Sequence, residues 1–332
     1  MRPSSYFIWI VPTLIIAMLA AIDGRWQVRA ATYQTNNNPQ VALDQIEDHI
    51  LMAERQIADI RPGLEKSIMW ADKPHHRTRY AIVYIHGFSA SKEELRPVPD
   101  LIAARLGANI FYSRLTGHGR TAEAMREATV SAWIQDLAEA FEIGTMIGDQ
   151  VIILSCSTGG TLVAAGIANG VFSDKLFSAV FFSPNFGPQD QMAQLLTWPL
   201  ARYWAPLIGG EMQINVPRNQ LHARYWTTSY PTISLIPMMQ LIDMVDGAEL
   251  STNNVPALFY FSPNDKVVDP QKTENFIARW RGPKEIRRIN GKESEDELNH
   301  LITGRVVSPS QVKRAADTII NWHDSISQAL AN

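Results

Sequence analysis

Residues 150–160 read Gln150-Val151-Ile152-Ile153-Leu154-Ser155-Cys156-Ser157-Thr158-Gly159-Gly160. Val151 to Leu154 are apolar at every position, and three of the four are β-branched. A strand with one wet face would alternate, so an unbroken run predicts a strand covered on both sides. The small residues that follow suit a sharp turn into a helix over 159–168. A serine at the tip of a strand-to-helix turn holds its hydroxyl above the sheet, and small neighbours let the backbone pack tightly around it. Ser157 is therefore the candidate nucleophile. The pattern G-x-S-x-G has Ser155 at its first small position instead of glycine. Ser155 is itself the poorer nucleophile, because no glycine stands two residues beyond it.

Further apolar runs stand at 81–85, 109–112, 179–182, 257–261 and 286–289. Helical patterns fall between them at 92–106, 130–146 and 271–281, and another closes the chain at 309–331. This alternation predicts an α/β fold, a mainly parallel sheet with helices on both faces. Such a sheet takes its ligand beyond the carboxyl ends of its strands. Between two of the strands, 186–250 is rich in Trp, Tyr, Met and Pro, and reads as a lid inserted into one catalytic domain of 61–332. Ahead of that domain come a polar linker and an amphipathic helix over 32–60.

The partners Ser157 needs also follow strands. Asp265 stands in Pro263-Asn264-Asp265, just past the run at 257–261. Asp269 competes for the role, but it precedes Pro270 and reads better as a helix N-cap. His300, in a polar loop after the last run, is the candidate base, because a neutral imidazole near pH 7 takes a serine proton and returns it. His86 is the rival base and reads better as structural. It opens His86-Gly87-Phe88-Ser89, a turn that aims a backbone N–H of Phe88 or Ser89 at the site. Together with the N–H of Thr158 it would hold an oxyanion, worth about 3–4 kcal/mol per donor.

The order Ser157, Asp265, His300 and the motifs around it resemble the α/β-hydrolase superfamily. The likeness is to its carboxylesterase, monoacylglycerol-lipase and lysophospholipase-like branch. It spans about 79–300 and rests on His86–Ser89, Leu115–Thr121 (L-T-G-H-G-R-T), Ser155–Gly160, Pro263–Val268 (P-N-D-K-V-V) and Asn299–Ile302. The resemblance implies an α/β-hydrolase fold and cleavage of carboxylic esters through an acyl-enzyme, without a cofactor. It also implies that Gly117-His118-Gly119 is a structural turn beside the site. The expected substrate is a small ester with an apolar or lipid-like acyl group. The same triad also serves amide, thioester or carbon–carbon cleavage. A reading of another class is an inactive hydrolase-fold binding protein.

Composition narrows the field. A net charge of -3 with no basic run argues against nucleic acid. With Cys156 alone, neither an intrachain disulfide nor a thiolate zinc site is possible. The eight histidines lack ligand spacing, and His75-His76 reads as a solvated loop. Oligomeric state is left open. The uncharged run at 6–22 is near the lower limit for spanning a bilayer, roughly 17–25 residues. It is long for a secretory core of about 7–15, and no lipidation cysteine follows. Residues 1–31 are therefore expected to be a membrane anchor or a cleaved signal, with a buried core helix as the third option. Basic residues flank the run on both sides, so they do not set its orientation. The body is expected on the extracytoplasmic side, with the cytoplasmic face as the alternative.

Overall fold

The computed structural model describes residues 41–331. The expected anchor or signal segment lies outside them. No helix among the described residues is long and apolar enough to cross a membrane.

The chain starts with α1 (Ile46–Arg55), β1 (Ser67–Met69), β2 (Thr78–Ile85), α2 (Val98–Leu106), β3 (Asn109–Tyr112) and α3 (Val130–Ile147). It continues through β4 (Gly148–Cys156), α4 (Thr158–Ala168) and β5 (Leu176–Phe182). Then come α5 (Ala201–Gly209), β6 (Met212–Ile214), α6 (Gln220–Tyr225), β7 (Ser229–Pro231) and α7 (Leu235–Asp246). It ends with β8 (Ala257–Phe261), α8 (Pro270–Arg279), β9 (Lys284–Arg288) and α9 (Val312–Ala331). Seven strands form one sheet in the order β1-β3-β2-β4-β5-β8-β9, parallel except for β1, while β6 and β7 pair separately. The expected α/β fold, with helices on both faces of a mainly parallel sheet, is the fold observed.

Each central strand feeds two cores, because alternate side chains leave opposite faces. Ala81, Val83 and Ile85 of β2 join Val151 and Ile153 of β4 in one apolar cluster under α3, α4, α7 and α8. Ile82 and Tyr84 join Ile152 and Leu154 in the other, under α2 and α9. Burial on both faces is why these strands read as continuous apolar runs.

Three local readings shift. The helix expected from 92 begins at Val98. Pro97 has no N–H to give a preceding turn and pushes Arg96 out of helical geometry, so 91–97 folds as turns, whereas Pro99 sits in the first turn of α2, where a proline costs no hydrogen bond. β1 escapes notice because three residues are too short for any periodicity. The stretch 186–250 is not uniform. Its last helix, α7, places Met239, Leu241, Ile242 and Val245 in the main core, whereas the segment around α5 and β6 is exposed.

α1 is tied into the same body. Ile46 and Ile50 enter the core, and Glu54 receives two hydrogen bonds from the Arg114 guanidinium at 2.8 Å. Both ions are buried, so removing one partner would cost about 3–5 kcal/mol.

Candidate active site

The chain runs from β2 outward to β3 and returns on the other side of β2 as β4. The sheet's order therefore reverses at the β2–β4 crevice, where a doubly covered sheet binds its ligand beyond the strand ends. Both candidate motifs sit there. Ser157 stands between β4 and α4 with φ 49° and ψ −120°, a strained conformation of the kind functional sites retain. The small residues beside it are required by packing. A Cβ on Gly159 would fall 2.4 Å from the Ile85 carbonyl and 2.6 Å from that of His86. Ser155 replaces the usual first glycine without conflict, because its hydroxyl donates to the Val180 carbonyl of β5 at 2.9 Å.

The three triad candidates meet. His300 Nε2 lies 3.1 Å from Ser157 Oγ, and His300 Nδ1 lies 2.8 Å from Asp265 Oδ2. The other oxygen, Asp265 Oδ1, accepts the backbone N–H groups of Val267 and Val268 at 2.8 and 2.9 Å. This leaves the carboxylate one orientation. Asp269 instead caps α8, its side chain accepting from Gln271 N at 2.8 Å. Burial opposes charge on His300, but the Asp265 carboxylate outweighs it, helped by Glu94 and Asp296. The imidazole pKa is raised above its ordinary value.

His86 is otherwise engaged. Its Nε2 accepts Leu115 N–H at 3.1 Å, which leaves Nδ1 as the donor to the Gly87 carbonyl at 2.9 Å. Burial pushes its pKa down to about 4, so it is a neutral pin between two turns. His118, in the Gly-His-Gly turn, is buried against it with ring centroids 4.9 Å apart. Phe88 and Thr158 both border the cavity over Ser157, and their backbone N–H groups have no acceptor among the described residues.

Two acids that sequence reasoning passed over hold this arrangement. Asp296 accepts the N–H groups of Leu298, His300 and Leu301 and the Arg218 guanidinium, so it fixes the loop that carries His300, the candidate base. It lies in the acidic run Glu293–Glu297, where nothing distinguishes it from its neighbours. Glu94 is buried beside the oxyanion turn. The insert is anchored on the same turn: Thr227 N–H donates to the Ser89 carbonyl at 2.7 Å. Arg61 supports that anchor from below by donating to the carbonyls of Arg224 and Trp226.

The cavity over Ser157 measures about 450 Å³. Leu235, Met238, Val267 and Leu298 give it an apolar wall, and Asn215, Arg218 and His222 of the insert give it a polar one. Among the described residues no group of His, Cys, Asp and Glu is placed to hold a metal ion.

Similar solved structures share this architecture. One is from work on LipS and LipT, two metagenome-derived lipolytic enzymes, with TM-score 0.60 and 18% identity, covering 78% of this chain and 97% of its own. The monoacylglycerol lipase of Paleococcus ferrophilus superposes with TM-score 0.58 at 14% identity, over 78% of this chain and 97% of its own. A soluble variant of the Saccharomyces cerevisiae monoglyceride lipase gives 0.55 at 15%, over 80% and 93%. At such identities the likeness speaks for the fold alone. No curated protein matches the chain by sequence. The model of the alpha/beta hydrolase family matches residues 82–301, from β2 to just past His300, and the chain belongs to that family.

Proposed function

We propose that the chain is a serine hydrolase that cleaves carboxylic esters with an apolar, lipid-like acyl group. One observation carries this reading: the hydrogen-bonded line Asp265–His300–Ser157 ends at the cavity bordered by Phe88 and Thr158, whose backbone N–H groups have no acceptor among the described residues. In the first half-reaction His300 Nε2 takes the Ser157 proton as Oγ bonds to the ester carbonyl carbon. The carbonyl oxygen becomes an oxyanion facing the N–H groups of Phe88 and Thr158. The tetrahedral species collapses, the bond to the alcohol oxygen breaks, and His300 returns the proton to that oxygen. Water then repeats the sequence on the acyl-enzyme and releases the acid. Asp265 keeps the imidazole in the tautomer whose Nε2 can accept, and stabilises the imidazolium.

The apolar wall of the cavity suits the acyl chain. The exposed apolar side chains of 198–216 and the uncharged run at 6–22 support placement at a membrane.

A fluorophosphonate probe tests the mechanism. The full chain is expected to label, Ser157→Ala to lose all labelling, and His300→Ala to lose ester turnover while staying folded. Undiminished labelling of Ser157→Ala would remove the nucleophile assignment. A p-nitrophenyl ester series tests the substrate class, and a preference for acetyl over longer acyl groups would count against a lipid-like substrate.

A further inference from the structure

We infer that Glu94 is a positioning residue: its carboxylate locks the Gly87–Phe88 arm of the oxyanion turn against the nucleophile elbow. This rests on the serine-hydrolase reading above and extends it to a residue outside the triad.

The placement is specific. Glu94 sits at the end of a turn, its own N–H donating to the Ser91 carbonyl at 3.0 Å, and its side chain reaches back under β2. Glu94 Oε2 accepts two hydrogen bonds at 2.8 Å, from the Gly87 N–H and from the Tyr84 hydroxyl. Glu94 also borders the cavity over Ser157 and is only 3% exposed. A buried carboxyl in a hydrolase core costs stability unless it is well bonded, and this one is bonded to the peptide that precedes Phe88.

The contact fixes both position and direction. Gly87 lies so close to the elbow that a Cβ there would stand 2.8 Å from Glu94 Oε1 and 3.0 Å from Ser157 Cβ. With the Gly87 N–H held by Glu94, the next N–H, that of the cavity-lining Phe88, has no acceptor among the described residues. An oxyanion donor serves only when it is pre-aimed at where charge develops. Without the Glu94 anchor the arm can rotate, and the Phe88 N–H loses that aim. Burial raises the Glu94 pKa, against the opposing effect of the hydrogen bonds from Gly87, Tyr84 and Cys156 and of the His300 charge. The anchor does not depend on which form is present, because Oε2 accepts in either.

Glu94→Ala and Glu94→Gln in the full chain test this. Glutamine keeps a carbonyl oxygen where Oε2 stands and so keeps both bonds. Alanine is expected to lower kcat for a p-nitrophenyl ester about 10- to 100-fold, the scale of a donor misplaced by about an ångström, with KM changed less than about threefold. Glutamine is expected to restore kcat to within about threefold of wild type, as an anchor made by one acceptor oxygen predicts. Wild-type kcat in a folded Ala variant, or a Gln variant as slow as Ala, overturns the inference. If Ala does not accumulate folded, Glu94→Leu keeps the volume without an acceptor and is read by the same criteria. A wild-type chain with no esterase activity would instead overturn the serine-hydrolase reading.

Discussion

At the scale of single residues, Asp265 shows how much one hydrogen-bond donor can decide. Its Oδ1 is occupied by two backbone N–H groups, so an Asp265→Asn side chain must keep its oxygen there and turn its amide toward His300. Nδ1 would then have to accept, the proton would sit on Nε2, and the base could not take the Ser157 proton. A loss in kcat on the order of 10⁴-fold is expected, with the fold retained. Steady-state kinetics of Asp265→Asn beside Asp269→Asn checks this, and activity within tenfold of wild type in the first would remove Asp265 from its place. Ser157, Asp265 and His300 are visible in the sequence because each follows a strand and their order is distinctive. Glu94 and Asp296 are not, since both act through backbone N–H groups that only the folded turns bring to them. Even the irregular Ser155 is intelligible only in three dimensions, where its hydroxyl finds the carbonyl of the neighbouring strand.

At the scale of elements, α3 does more than cover the sheet. Its Asp136 accepts the Thr116 N–H at 2.6 Å and its Trp133 donates to the Thr116 carbonyl, so one helix face clamps the Gly-His-Gly turn beside the site. Burial pushes the Asp136 pKa from 3.8 to about 6. A carboxyl raised in the folded state contributes stability that is complete below its unfolded pKa. That contribution disappears as pH rises through the folded one. The loss falls between about pH 4 and pH 6 and is on the order of 2–3 kcal/mol. Asp136→Asn keeps an acceptor for Thr116 and has no proton to lose. Its thermal midpoint is expected to exceed the wild type's above pH 7 and to converge with it near pH 4. A constant difference across that range would contradict the assignment. The strand and helix sequence was legible because the central strands are dry on both faces. The start of α2, the short β1 and the split character of 186–250 were not. They depend on proline geometry, on pairing with β3, and on which helix of the insert meets the core.

At the scale of the molecule, the apolar surface is unevenly distributed. Trp198, Tyr203, Leu207, Ile208, Ile214 and Val216 are between 62% and 87% exposed, and all fall within 198–216. Their placement follows from local geometry. Ala201 and Ala205 face inward from α5, which turns Tyr203 and Leu207, four residues apart, outward. Alternation in β6 puts Met212 and Ile214 on one face and Gln213 on the other. Val216 also borders the cavity, so this surface continues into the pocket mouth. Exposed apolar side chains gathered in one segment signal contact with something apolar. On the proposed reading of a lipid-like ester substrate, the partner that fits this surface is the one presenting that substrate. Polar replacement of Leu207, Ile208 and Ile214 by serine removes apolar contact and leaves the cavity lining and the triad intact. The triple variant is expected to hydrolyse a soluble short-chain ester at the wild-type rate. On an ester embedded in phospholipid vesicles it is expected to be several-fold slower. Equal losses on both substrates would mean that these side chains support the fold. No loss on vesicles would mean that the patch does not face lipid.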